Sequence, residues 1–189
     1  MHWTWYGFFA MAAYCVWWIV GSARQRRADE VCQALAVAGL FGGWFLGWSS
    51  TRLFDLPWLK TLGWVTIGLA GVTLVSAVVY MHVKGKPRTA NVEKTTRLVT
   101  SGPFALVRHP IYTATAWWSF GAFFIHQSLL AAVTLATTST LAYAAARLAD
   151  PHLVRKFGPA YAEYARTVPR FNPLTGLWRL LTKRRSPRR

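Results

Sequence analysis

Cysteine is scarce in this chain. Cys15 and Cys32 are the two it has, and neither stands at close spacing from another Cys or a His. That excludes a disulfide framework and gives no zinc-ligand pattern. Acidic residues are scarce as well: six Asp and Glu face 22 Lys and Arg, a formal net charge of +16. Missing too are a Gly-x-Gly-x-x-Gly fingerprint, a P-loop and a Gly-x-Ser-x-Gly elbow, so soluble Rossmann-type cofactor binding has no support. No nucleic-acid motif accompanies the basic excess, which is spread over several loops; nucleic acid is not an expected partner. The amino terminus has no basic segment before its apolar run, and Trp17-Trp18 stands where a signal peptide would have small residues.

What is present is apolar. The chain is 53% hydrophobic with 11 Trp, a content that a soluble domain of this length does not combine with so lopsided a charge. Five runs reach or approach the roughly 20 residues that cross about 30 Å of hydrocarbon. They lie near Trp3–Val20, Val31–Trp48, Leu62–Tyr80, Ile111–Ile125 and Leu129–Ala146, and none holds an Asp, Glu, Lys or Arg. The fourth is short, so the last two are expected as a hairpin. The expected fold is therefore an all-α integral membrane protein of about five transmembrane helices with a cytoplasmic C-terminal cap. It divides into three spans over 1–80, a ligand-binding core over 81–173 and a basic tail over 174–189.

Charge orients the spans. One side carries only Arg52 and Lys60, whereas the other carries the remaining twenty basic residues. The positive-inside rule puts the C-terminus in the cytoplasm, here of a bacterial inner membrane, and the N-terminus outside. The tail from Lys183 to Arg189 suits anionic lipid headgroups. Gly39, Gly43 and Gly47 leave a smooth helix face, read as internal packing ahead of a dimer seam; oligomeric state stays open. Trp3, Trp5, Trp17, Trp18, Trp48 and Trp58 fall near span ends as interface anchors, and His2, His82, His126 and His152 read as interfacial residues.

Two polar segments carry the chemistry. The first runs Leu98-Val99-Thr100-Ser101-Gly102-Pro103-Phe104, then Arg108-His109-Pro110-Ile111-Tyr112 at the mouth of the fourth span. Ionisable groups there are costly unless a partner or ligand meets them. Pro110 suits the first turn of a helix, which leaves His109 at a positive helix end. The second segment follows the fifth span: Phe157-Gly158, Tyr161, Tyr164, then Val168-Pro169-Arg170. Tyr161, Tyr164 and Val168 share one face of a short helix at i, i+3 and i+7.

Gly-Pro-aromatic followed by Arg-His-Pro-x-Tyr, with Phe-Gly-x-x-Tyr-x-x-Tyr and Val-Pro beyond, resembles the isoprenylcysteine carboxyl methyltransferase family over roughly 96–173. That resemblance implies a membrane methyltransferase using S-adenosylmethionine, no metal, and a lipophilic acceptor such as an isoprenylcysteine-type carboxylate, a lipid or a thiol. It implies cofactor contacts at Thr96, Arg97, Leu98, Val99, Phe104 (where a Tyr is usual), His109, Pro110, Ile111 and Tyr112. The family's Arg near the end of the last span corresponds to Arg147, facing substrate. Its Glu run is replaced by Ala149-Asp150-Pro151, leaving Asp150 as the carboxylate expected to accept hydrogen bonds from the cofactor, on a helix persisting through it. Two other classes compete: an NADPH-dependent membrane reductase of the sterol-reductase type, and a non-catalytic membrane scaffold.

Overall fold

Five of the helices in this protein begin on a proline: Pro57, Pro103, Pro110, Pro159 and Pro173. At the first helical position the fixed φ is already helical and the missing N–H costs no hydrogen bond. The computed structural model describes residues 2–47, 50–87 and 95–185. In order, the helices are α1 (His2–Arg24), α2 (Ala28–Gly47), α3 (Pro57–Val83), α4 (Pro103–Leu106), α5 (Pro110–His126), α6 (Leu129–Phe157), α7 (Pro159–Thr167) and α8 (Pro173–Arg185). Trp48 lies outside the described residues, as do the side chains of Trp3, Trp5 and residues 183–189.

Each predicted span is a helix, and the architecture is an all-α integral membrane fold. Four helices are long and apolar enough to cross a membrane, namely α1 from Tyr6, α2, α3 and α6. The remaining one, α5, has 17 residues, about 25 Å at 1.5 Å per residue, and pairs with α6 as a hairpin. α6 runs 11 residues beyond the predicted end at Ala146, to Phe157, with Pro151 inside it. The apolar run stops where the lipid stops, but Ala, Arg and Leu continue to favour helix.

The bundle closes through small residues. α2 packs on α6, α3 on α5, and α5 on both α6 and α2, whereas α1 packs on α2. Thr138 and Thr134 of α6 and His126 of α5 lie over Gly39, Gly43 and Gly47 respectively. A methyl group at Gly43 or Gly47 would overlap these side chains, so the stripe is occupied within the molecule, where small residues let backbones approach. Ala34, Ala36, Ala142, Ala145 and Ala146 are fully buried along the same seam. At the end of the bundle formed by the α2–α3 and α5–α6 connections, Gln127 donates through Nε2 to the Leu56 carbonyl (3.0 Å) and accepts from the Leu56 N–H (2.8 Å).

Candidate functional site

At the opposite end, the two polar segments meet. The Arg108 N–H donates to the Pro169 carbonyl (2.9 Å) and the His109 N–H to that of Arg170 (3.3 Å). Thr113 Oγ1 donates to the Phe171 carbonyl at 3.2 Å, and the Tyr164 hydroxyl to that of Phe104 at 2.7 Å. The expected Tyr161, Tyr164 and Val168 face of α7 is buried, packed against Leu98, Leu153 and Phe157. Pro110 is the first residue of α5, as its sequence position predicts. Gly102 supplies the turn before α4 at φ 65°, with the Tyr80 ring 2.5 Å from where a Cβ would sit.

Asp150 ties the two segments together. Its Oδ1 accepts from His109 Nε2 (2.8 Å) and from the Tyr161 hydroxyl (2.5 Å). Its Oδ2 accepts from Arg170 Nε (2.7 Å) and meets Arg108 Nη2 at 3.3 Å. A carboxylate offers about four lone-pair positions, and all four are engaged. Burial holds His109 below the ordinary imidazole pKa, outweighing the attraction of Asp150. The ring is thus neutral at pH 7, and its proton sits on Nε2 because the carboxylate can only accept. Burial also pushes the Tyr161 and Tyr164 hydroxyls up, helped at Tyr161 by its bond to Asp150. Both stay protonated donors. The hydrogen bond to Asp150 raises Arg170 further.

Beside this cluster lies a cavity of about 430 Å³, within the roughly 300–1,000 Å³ of small-molecule sites. Arg97, Leu98, Val99 and Phe104 line it from the first segment, and His109 through Tyr112 from the start of α5. His109 and Tyr112 stack with ring centroids 5.5 Å apart. Three expected contacts are placed elsewhere. Thr96 turns its hydroxyl to the Lys86 carbonyl at 2.9 Å and closes the loop. Asp150 is saturated by protein donors and lies outside the cavity wall. Arg147 is exposed and also off the wall. The helix period explains the last two. α6 faces the cavity through Ala149, Leu153 and Phe157; at 3.6 residues per turn, Arg147 lies about 200° and Asp150 about 100° around from Ala149. The helix does persist through Asp150, yet it turns that carboxylate toward α5 and α7.

Sequence reasoning missed the wall that α1, α2 and α3 supply. Tyr14 and Trp18 come from α1, Asp29 and Gln33 from α2, and Leu74 and Val78 from α3. Trp18 and His152, read as interfacial, also line the cavity. Arg27 holds Asp29 through two parallel bonds (3.0 and 2.8 Å) and reaches Glu30 at 2.9 Å. A signal for this side existed: two of only six carboxylates stand at the mouth of the second span, and Gln33 lies one turn inside it. Two polar atoms buried in wall residues have no hydrogen-bond partner, Gln33 Oε1 and Arg108 Nε.

Helical spans around a capped cavity at one bundle end define an integral membrane protein with a cavity of small-molecule size. The phospholipid methyltransferase family model matches residues 58–160, more than half of the chain. The chain belongs to this family, part of the isoprenylcysteine carboxyl methyltransferase-like group of membrane methyltransferases. It is 30% identical over 129 residues to the nickel-cobalt-cadmium resistance protein NccN of Alcaligenes xylosoxydans xylosoxydans, covering 67% of this chain and 57% of that protein. To the cobalt-zinc-cadmium resistance protein CzcN of Cupriavidus metallidurans it is 33% identical over 123 residues, 65% of this chain and 53% of that one. The chain therefore spans just over half the length of these relatives. No solved structure matches it.

Proposed function

We propose that this protein transfers a methyl group from S-adenosylmethionine to an acceptor that reaches the cavity from the lipid. One observation carries the reading. The cavity that starts at the Arg-His-Pro segment and the α7 tyrosines is walled further on by α1 and α3, and among the described residues those two helices do not pack against each other. A polar end and a side bounded by unjoined apolar helices suit a water-soluble cofactor and a lipophilic acceptor meeting in one space.

The residues fit the cofactor. When bound, S-adenosylmethionine supplies a methyl group activated by a sulfonium. Arg108 offers a buried, unpartnered Nε donor to a carboxylate, and Phe104, Tyr112 and Phe157 offer apolar ring surface to an adenine. Asp29, not Asp150, is the carboxylate on the wall, held there by Arg27. It is the candidate for a ribose diol or an ammonium. The protein's work is alignment of nucleophile, methyl and leaving sulfur, the main lever in a displacement of this kind. The twenty-to-two basic asymmetry supports a bacterial inner membrane with this site facing the cytoplasm.

The metal-resistance wording belongs to the relatives' names. Among the described residues no three His, Cys, Asp or Glu side chains are grouped to share an ion. Parallel titrations of the purified full chain with S-adenosylmethionine and NADPH test the reading. Saturable binding of the first is expected. Binding of NADPH instead favours a membrane reductase, and binding of neither favours a non-catalytic scaffold.

A further inference from the structure

α8 has two opposite faces. Leu174, Leu177, Trp178 and Leu181 recur at i, i+3, i+4 and i+7 and stay exposed, Leu174 at 73% and Trp178 at 71%. An apolar stripe of this size is unfavourable in water and calls for a partner. At 3.6 residues per turn, Gly176 and Arg179 lie on the other side of the helix. There Gly176 packs on the Leu106 carbonyl, and Arg179 donates to the carbonyls of Ala105 (2.5 Å) and Thr167 (2.9 Å). Ala105 and Leu106 belong to α4, which also carries Phe104 on the cavity wall. Four residues are too few to hold a helix alone, and none of these four is fully buried. The last carbonyls of so short a helix have no partner within it. Tyr164 takes that of Phe104 at 2.7 Å, and Arg179 takes that of Ala105. α4 is thus a piece of cavity wall held from outside.

From these two faces we infer that α8 docks on an anionic bilayer surface, and that this docking holds α4 against the cavity. Charge selects the occupant. From Lys183 to Arg189 five of seven residues are Lys or Arg, and the last acidic residue in the sequence is Glu163. Each such cation strengthens binding to an anionic surface about fivefold. A second copy of the chain carries the same +16 charge and repels the tail, whereas lipid phosphates attract it. The spans hold the cap end of the bundle at a membrane surface, so the partner is always adjacent. The leucines and Trp178 enter the boundary between headgroups and acyl chains, and the tail meets the phosphates. The α4 wall of the cavity then depends on the charge of the surrounding lipid. This inference goes beyond the methyltransferase reading and does not need it.

Hydrogen exchange of the full chain, in nanodiscs holding one copy each and without cofactor, tests this. Discs of phosphatidylcholine alone are compared with discs that also contain phosphatidylglycerol. Two amides report on α4, those of Ala105 and Val107, which donate to the Gly102 and Pro103 carbonyls. In the anionic discs these and the α8 amides should exchange about tenfold more slowly. High salt should remove most of that difference. Two variants, Trp178→Asp and the pair Arg184→Glu with Arg185→Glu, should abolish it in both elements. Arg179→Ala should keep the lipid-dependent protection of α8 and lose that of α4, because the link between them is gone. Exchange that ignores phosphatidylglycerol in either element overturns the inference. Lipid-dependent protection that survives the charge reversal, or that survives at α4 in Arg179→Ala, overturns it too. Protection that appears only in discs holding two copies gives the apolar face to a second chain and has the same result.

Discussion

Asp150 accounts for much of what single residues do here. It is one carboxylate between two arginines, a neutral imidazole and a phenol, with its side chain 14% exposed. Removing one partner of a buried pair strands the others, at a cost of roughly 3–5 kcal/mol. Asp150→Asn should therefore destabilise the capped end by about that much, visible as a lower thermal midpoint, with weaker cofactor binding as its consequence. Arg147→Ala, three residues earlier and exposed, should shift stability by less than about 0.5 kcal/mol and leave cofactor affinity unchanged. His109 adds a pH dependence. Its folded pKa is depressed by burial among Arg108, Arg170, Asp150 and Tyr161. As pH falls below the unfolded value of about 6.5, the unfolded chain takes up a proton that the folded one refuses. Its contribution is thus present above that pH and lost below it. Acidification from pH 7.5 should lower the thermal midpoint of the parent, and His109→Asn should flatten that slope.

Elements are positioned by a few close approaches. Gly102 and Gly158 both hold positive φ, at 65° and 62°. With ψ at −135° and −142° as well, a residue with a Cβ pays about 1–3 kcal/mol for such a backbone. At Gly158 nothing lies within 4 Å of an added Cβ, whereas at Gly102 it would strike the Tyr80 ring. Gly158→Ala should therefore cost about 1–3 kcal/mol and Gly102→Ala clearly more, measured by chemical unfolding in detergent. α8 is docked by the same device. Gly176 lies against the Leu106 carbonyl, and Arg179 donates to the carbonyls of Ala105 (2.5 Å) and Thr167 (2.9 Å). Its Leu174, Leu177, Trp178 and Leu181 stay exposed at i, i+3, i+4 and i+7, the pattern of a helix lying in a membrane interface.

For the whole molecule, the segment that carries Arg52 and the first turn of α3, which carries Lys60, meet the α5–α6 turn at one end, while the cavity and cap lie at the other. The cap end carries the basic residues that should hold it in the cytoplasm. A reporter fused after Arg189 should be active only in the cytoplasm. Activity on the outer face would invert the topology and place the cavity away from the cell's cofactor supply.

By itself the sequence determined the five apolar helices, their order and the asymmetry of charge, because lipid imposes a length and a polarity that composition must satisfy; α4 and α8, the second within the stretch read as a basic tail, it did not mark. It also marked the two polar segments, whose prolines, glycines and tyrosines act within a turn or two of where they stand. Which groups face the ligand was decided only by tertiary structure. Gln33 meets Thr115 across 82 residues and Asp150 meets His109 across 41. Helix periodicity gives the angle at which a side chain leaves its axis, but not what stands opposite. The carboxylate nearest the expected site in sequence therefore became its internal brace. The carboxylate on the cavity wall came instead from α2, brought there by packing of small residues against α6.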